Sequence, residues 1–403
     1  MTQLDRLRSL LATIAPANPF HAPRLALAGV DERIASLEEF SARHPFTTKA
    51  DLVADQTDHP PYGTNFTFPR ERYTHFCQTS GTTAKPLVIL DTAESWEWML
   101  GNWSRIYRAG GLMPGDRIYF AFSFGPFLGF WTAFESAARS GFLCIPGGGL
   151  GSAARLRAMI QHEASVLCCT PTYALHLAEV AARDGIDLTT SKVRKIFVAG
   201  EPGGSVPGVR ARISEAWKGA QVLDHYGMTE VGPVAFQNGG EDGVLHVIED
   251  SYFAEIVNPT TCAPVSAGEV GELVLTTLGR DACPLFRYRT GDLVKRIPDA
   301  PGFALAGGII GRVDDMVVVR GVNIFPSAVD AVVRGFPEIA EYRVAVTSRD
   351  TLAEIALEIE TTAGDAVARL EKALTSAFSL RIPVRRVDAL PRFELKAKRW
   401  RQS

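Results

Sequence analysis

The chain has 403 residues, which is enough for two or three domains and a large core. Its hydrophobic share of 46% and charged share of 22% are ordinary for a soluble globular enzyme. The net charge of −3 excludes a bulk electrostatic attraction to nucleic acid or to an anionic membrane, so we expect neither as a partner.

The cysteines and the N-terminus indicate a cytoplasmic protein. There are six cysteines, none in a C-x-x-C pair, and several lie in apolar runs where a free thiol behaves as a small hydrophobe. This pattern fits a reducing compartment. Residues 1–15 lack the features of a signal peptide, and no apolar run approaches the length of a membrane span.

The first part of the chain predicts short helices followed by a loop. Leucines recur at helical spacing in residues 4–14, which predicts an amphipathic helix. A second helix is expected at 34–43, and residues 46–52 have the pattern of an N-capped helix start. Residues 58–69 are rich in Pro, Thr and Asn and are predicted to form a loop.

Residues 78–86, Q-T-S-G-T-T-A-K-P, form a hydroxyl-rich loop between two apolar runs, so we predict a strand, a tight loop and a second strand. Gly81 allows close backbone approach, Lys85 offers a cation, and four hydroxyls come from Thr79, Ser80, Thr82 and Thr83. Such groups can replace the water shell of a polyphosphate. The alternative is a solvated hairpin turn. The loop is not a Walker A motif, because Pro86 and an apolar run follow it instead of a helix.

Strands and helices alternate over the next hundred residues. The pattern predicts helices at 92–109, up to 139, at 152–162 and at 173–183, and strands at 116–124, 141–146, 166–170 and 195–199. This alternation indicates an α/β fold with a parallel, doubly wound sheet. Ligands of such sheets bind beyond the carboxyl ends of the strands, where glycine-rich turns follow Phe124, Pro146 and Ala199.

Residues 222–230, V-L-D-H-Y-G-M-T-E, are predicted to be a strand that runs into a polar turn. The face of Tyr226 can stack on a purine, and Thr229 can hydrogen-bond to a phosphate oxygen. Glu230 is a hard oxygen ligand suited to Mg²⁺, which usually takes one or two carboxylates together with phosphate oxygens. The alternative is an ordinary strand end followed by a polar turn.

Three later segments add further polar groups. In residues 287–293, R-Y-R-T-G-D-L, Asp292 is predicted to lie on a turn, where its carboxylate could accept both hydroxyls of a ribose. Residues 311–326 predict a charged turn, a β-run, a glycine turn and a helix from Ser327. Residues 390–399 follow a helix and a strand and form a basic tail, which is typical of a solvated face.

These five segments, in this order and at these separations, resemble the adenylate-forming superfamily of acyl- and aryl-CoA ligases, and most of all the phenylacetate-CoA ligases. The resemblance extends from P-F-T-T-K at 45–49 to K-A-K-R at 396–399. It implies a large N-terminal domain with mostly parallel, doubly wound sheets (residues 1–313) and a small α+β C-terminal domain (residues 314–403). Asp314 falls at the hinge between them.

The resemblance also implies an ATP site. The loop from Thr79 to Lys85 would hold the β- and γ-phosphates. Tyr226, followed by Gly227, corresponds to the aromatic residue that stacks on adenine. The other implied contacts are Thr229 for the α-phosphate, Glu230 for Mg²⁺, the adenine-bordering turn Gly200-Glu201-Pro202, Asp292 for the ribose, and Arg312 near the ribose and phosphates.

The implied reaction has two steps and needs a cationic site. Attack of a carboxylate on the α-phosphorus of ATP gives an acyl-adenylate and pyrophosphate, and charge accumulates on phosphate oxygens. Lys396, the implied adenylation lysine, would bridge the two anions and act in catalysis with Thr229 and Glu230. The small domain then rotates and presents the segment containing Gly321, and the thiol of coenzyme A displaces AMP.

The sequence departs from the family pattern at several positions. Ala84 replaces a common Gly in the phosphate loop, and Leu395 stands where Gly usually precedes the lysine, so Lys398 is an alternative to Lys396. Some relatives carry a structural zinc. Here the candidate ligands are reduced to His246 and Cys283, with Asn238 where a Cys is expected. Two ligands do not make a tetrahedral site, so we predict no zinc.

The resemblance places the acyl pocket around residues 122–131 and two glycine turns. Its implied lining is aromatic and apolar, which favours an aryl or arylacetyl acid, and consists of Phe124, Phe127, Phe130, Trp131 and Gly148. The alternative is that half of these aromatic residues are core.

Three functions remain open at this point. The first is an aryl- or acyl-CoA ligase that uses ATP, Mg²⁺ and coenzyme A. The second is the same adenylation followed by transfer to an amine or to a carrier-protein thiol. The third is a non-catalytic relative that binds nucleotide or acid, which the joint presence of Glu230, Asp292 and Lys396 disfavours. Members of the family are often dimers, so the resemblance allows a homodimer.

Overall fold

The computed structural model describes residues 1–79, 86–315, 317–319, 322–349, 352–392 and 399–402. The N-terminal segment is helical, with α1 (Gln3–Ile14), α2 (Ala22–Ala28), α3 (Leu37–Arg43) and α4 (Lys49–Asp58). A capping box between Thr2 and Asp5 begins α1, as the apolar periodicity predicts. The second predicted helix begins later than residue 34, because the hydroxyl of Ser36 accepts a hydrogen bond from the N–H of Glu39 and caps α3 there.

An antiparallel hairpin frames the hydroxyl-rich loop. It consists of β1 (Tyr73–Gln78) and β2 (Val88–Thr92), and a short 3-10 turn at Arg70–Arg72 precedes it. The predicted strands on either side of the loop are confirmed. Residues 80–85 of the loop itself lie outside the described part of the chain.

The alternating region follows, and its elements match the predicted order with small shifts at their ends. They are α5 (Ala93–Ala109), β3 (Arg117–Phe120), α6 (Leu128–Arg139), β4 (Leu143–Pro146), α7 (Ser152–Gln161), β5 (Val166–Cys169), α8 (Pro171–Arg183), a 3-10 turn (Leu188–Thr190), β6 (Lys195–Val198), α9 (Pro207–Ala216) and β7 (Gln221–Met228). The chain continues through β8 (Gly232–Phe236), β9 (Val244–Val247), β10 (Tyr252–Val257), β11 (Val270–Thr277), β12 (Tyr288–Lys295), β13 (Ala304–Ala306) and β14 (Gly311–Arg312).

A sheet of eight strands, in the order β13-β9-β8-β7-β6-β5-β3-β4, forms the centre of the N-terminal part. Strands β3 to β7 are mutually parallel, and β7, β8, β9 and β13 pair antiparallel. Successive side chains point to opposite faces. Ile118 and Phe120 therefore pack beneath α5 and α6, whereas Tyr119 and Ala121 pack against α7 to α9. Helices on both faces confirm the doubly wound α/β fold.

A second sheet, β10-β11-β12-β14, is antiparallel throughout. It corrects one prediction, because Asp292 lies within β12, where the sequence indicated a turn. The reason is strand pairing, since Asp292 is in register with Arg312 of β14. The strand predicted over residues 222–230 is β7, and the polar turn that follows it contains Thr229 and Glu230.

The C-terminal part has its own core, formed by residues between 319 and 384. Its elements are β15 (Val317–Val319), β16 (Val322–Ile324), α10 (Pro326–Arg334), β17 (Ile339–Arg349), β18 (Leu352–Thr361), α11 (Ala366–Phe378), β19 (Val384–Val387) and β20 (Trp400–Gln402). The sheet order is β16-β15-β18-β17-β20, and β19 pairs with β18. The smaller α+β part is thus confirmed, whereas the boundary between residues 313 and 314 stays a prediction.

Two arginines of the basic tail, Arg392 and Arg399, form ion pairs. Arg392 bonds to Glu360 at 2.8 Å and reaches Glu179 of the N-terminal part at 3.2 Å. Arg399 is largely buried and donates to Glu341 at 2.7 Å. The tail therefore contributes to the contact between the two parts. Within the ranges described, no helix is long and apolar enough to cross a membrane.

Candidate active site

Four of the predicted site residues form one hydrogen-bonded chain where the two sheets of the N-terminal part meet. The hydroxyl of Tyr226 donates to Asp292 Oδ2 at 2.6 Å, and Arg312 Nη1 donates to Asp292 Oδ1 at 3.0 Å. Arg312 Nε also donates to Asp314 Oδ1 at 2.9 Å. Tyr226 and Asp292 are buried, whereas the Asp314 side chain is 68% exposed. This series of hydrogen bonds thus runs from the core to the surface.

The protonation states of Asp292 and Tyr226 follow from their burial. Burial raises the pKa of Asp292 to about 6, against the opposing effects of Arg312 and of the bond from Tyr226. Burial and the Asp292 carboxylate raise the pKa of Tyr226 well above its ordinary value, so the hydroxyl keeps its proton and donates. At neutral pH, Asp292 is mostly ionised. Each oxygen of its carboxylate retains acceptor capacity beyond the bond that it already makes.

Glu230 lies on the turn after β7 and is 4% exposed. The Glu230 Oε1 atom is 3.2 Å from Lys49 Nζ. The pKa of Tyr288 is raised well above its ordinary value by the burial of this tyrosine and by the charge of Glu230. The charge of Glu230 also contributes to the raised pKa of Asp292, so the two carboxylates lie within electrostatic reach of each other. The neighbouring Thr229 is half-buried.

The contact of Lys49 with Glu230 could not be predicted from the sequence. The only local features of Lys49 are its place at the end of the 45–49 motif and at the start of α4, directly after the capping residue Thr48. No spacing along the chain connects residue 49 with residue 230.

The carboxylate of Glu230 fits a divalent cation by its donor type. Carboxylate oxygens are hard donors of the kind that Mg²⁺ takes alongside phosphate oxygens, and in this structure one of them lies beside the ammonium of Lys49. Clusters of three or more His, Cys, Asp or Glu side chains able to hold a metal are absent from the part of the chain that the structure covers. His246 lies on β9 beside Glu241, and the thiol of Cys283 donates to the carbonyl of Asn65 at 3.0 Å.

Thr79 is the one described member of the predicted phosphate-binding set in the loop. Its N–H donates to the carbonyl of Leu87 at 2.9 Å, and its hydroxyl accepts from the N–H of Leu87 at 3.0 Å. These two bonds close the base of the loop, and the hydroxyl hydrogen remains available as a donor. The other predicted residues of this group lie outside the described ranges, as do the two lysines and the glycine of the C-terminal part: Ser80, Gly81, Thr82, Thr83, Lys85, Gly321, Lys396 and Lys398.

The predicted adenine-bordering turn follows β6 and is fixed from two sides. Gly200 has a φ of +89°, a left-handed conformation that favours glycine. Glu201 Oε1 accepts from the N–H of Thr172 at 2.8 Å and ties the turn to the start of α8, whereas Pro202 is exposed. Beneath the turn, burial raises the pKa of Asp224 to about 7, and this carboxyl accepts from a serine hydroxyl at 2.5 Å.

The predicted acyl-pocket residues are brought together at the start of α6. The rings of Phe124 and Trp131 are 4.9 Å apart, and those of Phe127 and Phe130 are 5.8 Å apart. Phe130 stacks at 4.2 Å on Phe122, which is core. Gly148 lies next to this cluster, since a Cβ atom at this position would be 3.6 Å from the ring of Phe124. Trp131 is 41% exposed and the three predicted phenylalanines are half-buried, so the cluster retains accessible aromatic surface.

Comparison with known proteins identifies the class. Residues 33–279 match the family described as AMP-binding enzyme, and residues 321–402 match the AMP-binding enzyme C-terminal domain. The chain is 34% identical over 367 residues to the phenylacetate-coenzyme A ligase of Thermus thermophilus, covering 89% of this chain and 80% of that protein. The phenylacetate-coenzyme A ligase of Escherichia coli (strain K12) is 33% identical, with 89% and 81% covered.

The chain therefore belongs to the family of AMP-binding enzymes, which confirms the predicted adenylate-forming superfamily. Within this family it is a homologue of the phenylacetate-coenzyme A ligases. The similarity to these ligases confirms the prediction of an ATP-dependent, AMP-forming acid–CoA ligase.

A similar solved structure also indicates which arrangement of the two parts this chain adopts. The structure resembles a 2-hydroxyisobutyryl-CoA ligase in the postadenylation state with a TM-score of 0.93 at 29% identity, covering 100% of this chain and 89% of that one. The same ligase in the thioesterification state gives a TM-score of 0.74, with 99% and 88% covered. The arrangement of the N- and C-terminal parts in this structure is thus more similar to that in the first of these two structures.

Proposed function

We propose that the edge lined by Tyr226, Glu230, Asp292 and Arg312 is where this enzyme converts a carboxylic acid and ATP into an acyl-adenylate. A carboxylate oxygen forms a bond to the α-phosphorus, and pyrophosphate leaves with the electrons of the bond that breaks. The thiol of coenzyme A then loses its proton and attacks the acyl carbonyl, which forms the thioester and releases AMP. The observation that carries the proposal is the buried Asp292 carboxylate, held between Tyr226 and Arg312 and close to Glu230.

Asp292 is assigned to the ribose. The bonds from Tyr226 and Arg312 use one acceptor position on each carboxylate oxygen. A second position on each oxygen remains for the two ribose hydroxyls. The hydroxyl of Tyr226 is fixed on Asp292 and the neighbouring Gly227 is exposed, which supports the adenine-stacking role that the resemblance assigns to Tyr226. The turn Gly200-Glu201-Pro202 is assigned to the border of the adenine on the resemblance.

Glu230 is assigned to Mg²⁺, which would neutralise charge on the phosphate oxygens as pyrophosphate leaves. The ammonium of Lys49, 3.2 Å from Glu230 Oε1, balances the charge of this buried carboxylate in the present structure. Thr229, the residue before Glu230, is half-buried and is assigned to the α-phosphate. Arg312 adds a cation whose side chain is 38% exposed and thus accessible to a phosphate group.

The remaining roles are assigned from the family resemblance. They are phosphate binding by the loop Thr79–Lys85, charge bridging by Lys396, presentation of the Gly321 segment in the second step, and the hinge at Asp314. The domain boundary between residues 313 and 314 is proposed on the same basis. The ion pair between Arg312 and Asp314 supports the hinge assignment, because it links the ribose carboxylate directly to the proposed pivot.

An aryl or arylacetyl acid is the proposed substrate class. The half-buried rings of Phe124, Phe127 and Phe130 and the exposed edge of Trp131 offer apolar aromatic surface. Aromatic rings of protein and ligand gain energy from offset or edge-to-face contact at about 4.5–7 Å. No Lys or Arg lies in residues 122–131 to bind a second negative charge of a substrate, which argues against dicarboxylic acids.

The proposed acceptor is coenzyme A, and the similarity to CoA ligases supports it over an amine or a carrier-protein thiol. The cytoplasm is the proposed compartment, since all six cysteines are free thiols and four of them are buried. A homodimer stays a prediction, which the molar mass in solution would test.

Pyrophosphate release tests the proposal. The enzyme is mixed with ATP·Mg²⁺ and a panel of aryl, arylacetyl and short aliphatic acids, each with and without coenzyme A, and reactions without acid serve as controls. We expect sustained release and a thioester only with coenzyme A and an aryl or arylacetyl acid. Adenylate without thioester would assign the acyl group to an amine or carrier protein. No release with any acid would contradict the proposed activity.

A further inference from the structure

A fully buried arginine supports the turn that carries Thr229 and Glu230. Arg280 lies in the loop between β11 and β12 and has 0% exposure. Its Nη1 atom donates to the backbone carbonyls of Thr229 at 3.2 Å and Glu230 at 2.6 Å. The same guanidinium donates from Nε and Nη2 to the two carboxylate oxygens of Asp91, at 2.8 and 2.5 Å.

Asp91 connects this support to the phosphate loop. It lies on β2, the strand that leaves the loop, and is 1% exposed. Strand β2 is paired with β1, so the bidentate contact from Arg280 fixes the hairpin that frames the loop. One guanidinium therefore joins two segments that are far apart in sequence, the strand β2 that leaves the phosphate loop and the turn after β7.

The chemistry of the pair indicates a purpose beyond packing. Two charges buried together are often no more stabilising than apolar side chains of the same size, because their desolvation cost offsets their attraction. Burial acts to lower the pKa of the Arg280 guanidinium, but the Asp91 carboxylate outweighs it and raises that pKa, so the arginine stays charged. What an apolar pair lacks is the planar fork of donors that fixes two carbonyls and a carboxylate at once.

We infer that Arg280 is a positioning residue for metal-assisted adenylation, and that it fixes the turn bearing Thr229 and Glu230 relative to β2, the strand that leaves the phosphate loop, through Asp91. This inference rests on the proposed function, because it presupposes that Glu230 holds Mg²⁺ and Thr229 faces the α-phosphate. Arg280 does not contact the reacting atoms in this scheme. It acts through the backbone of the two residues that do.

Arg280→Lys is the direct test. An ammonium keeps the charge beside Asp91 but lacks the fork that reaches the carbonyls at the same time. We expect pyrophosphate release to fall roughly tenfold or more, equivalent to about 1.4 kcal/mol, and the Mg²⁺ concentration at half-maximal rate to rise by a similar factor. Thioester formation from a supplied acyl-adenylate does not cleave ATP. The rate of this step should therefore change less than about twofold.

Arg287→Lys is the matched control. Arg287 is also buried, pairs with a carboxylate (Glu255, at 2.9 and 3.0 Å) and donates to a backbone carbonyl (His44, at 2.8 Å), but it does not contact the turn after β7. We expect it to lower the melting temperature about as much as Arg280→Lys while leaving the Mg²⁺ dependence unchanged. An unaltered Mg²⁺ dependence in folded Arg280→Lys, or the same rise in Arg287→Lys, would overturn the inference.

Asp91→Asn provides a second variant in case Arg280→Lys fails to fold. It keeps the side-chain shape and the carbonyl contacts of Arg280 but removes the charge that fixes the guanidinium. We expect the Mg²⁺ concentration at half-maximal rate to rise less than in Arg280→Lys, by roughly two- to fivefold. A folded Asp91→Asn enzyme with wild-type Mg²⁺ dependence would contradict the coupling. Absence of release in the wild-type enzyme would instead contradict the proposed function.

Discussion

Replacement of Asp292 by asparagine should weaken ATP binding strongly without disturbing the fold. The carboxylate accepts from Tyr226 at 2.6 Å and from Arg312 at 3.0 Å, and the proposed ribose contact needs one further acceptor position on each oxygen. Asparagine turns one oxygen into an NH₂ donor and removes the negative charge. One ribose hydroxyl therefore loses its acceptor, and the other keeps a neutral one.

The magnitude follows from the bond that is lost. A hydrogen bond to a charged group contributes about 1.5–3 kcal/mol, which corresponds to a roughly 10- to 150-fold rise in the dissociation constant for ATP. The Arg312 side chain is 38% exposed, so the loss of its ion pair adds little because solvent screens it. Burial holds the pKa of Asp292 above its ordinary value, so the neutral asparagine avoids a desolvation cost and the fold should tolerate it.

The assay is calorimetric titration of ATP·Mg²⁺ into wild type, Asp292→Asn and the control Tyr226→Phe. The control removes one neutral donor and keeps the carboxylate, so its affinity should fall only several-fold, as expected for about 0.5–1.5 kcal/mol. Thermal unfolding of the three proteins checks that each is folded. A folded Asp292→Asn protein that binds ATP within about threefold of wild type would refute the ribose assignment, because that factor is below the smallest loss expected for a charged acceptor.

Three further predictions address the pH dependence, the lysine and the acyl pocket. The wild-type KM for ATP should rise as pH falls below about 6, because Asp292, with its pKa raised to about 6, then binds a proton and loses its charge. In Asp292→Asn this rise in KM should disappear. A rise that persists in the variant would show that another group titrates. Lys396→Ala should abolish adenylate formation while leaving thioester formation from a supplied adenylate largely intact; if adenylation instead survives and is lost in Lys398→Ala, the lysine assignment moves to residue 398. Phe130→Ala removes the ring that stacks on Phe122. It should raise the KM for the preferred aryl acid roughly tenfold, because an aromatic contact and its buried area are lost, and it should leave the KM for ATP unchanged. Equal effects on both KM values would place Phe130 in the core.

Some of these elements could be predicted because their signals are local. The leucines of α1 recur at helical spacing, and Thr2 and Asp5 form the capping box that begins the helix. The alternation of α5 through β6 follows from hydrophobic period and turn residues, and its order is confirmed with shifts of a few residues at the ends. The strand Arg117–Phe120 is shorter than predicted, because Phe124 turns back with a φ of +56° and begins the aromatic turn before α6.

Elements that depend on distant partners were predicted incorrectly or missed. Asp292 lies in a strand because β12 pairs with β11 and β14, although glycine and threonine beside it indicated a turn. The ion pairs that Arg392 and Arg399 of the basic tail form with Glu179, Glu341 and Glu360 also had no local signal. The buried guanidinium of Arg280 had no sequence signal, because its partners Asp91 and Glu230 are 189 and 50 residues away.

The sequence by itself determined which chemical groups the site contains: hydroxyls and a lysine in one loop, Thr229 and Glu230 after a strand, and a carboxylate at Asp292. Residue types and the order of motifs carry that information because they are properties of short stretches. The tertiary structure alone decided how these groups meet, as when the hydroxyl of Tyr226 binds Asp292 across 66 residues. Long-range strand pairing and burial bring these groups together and set their pKa values. Neither leaves a trace in the local spacing of residues.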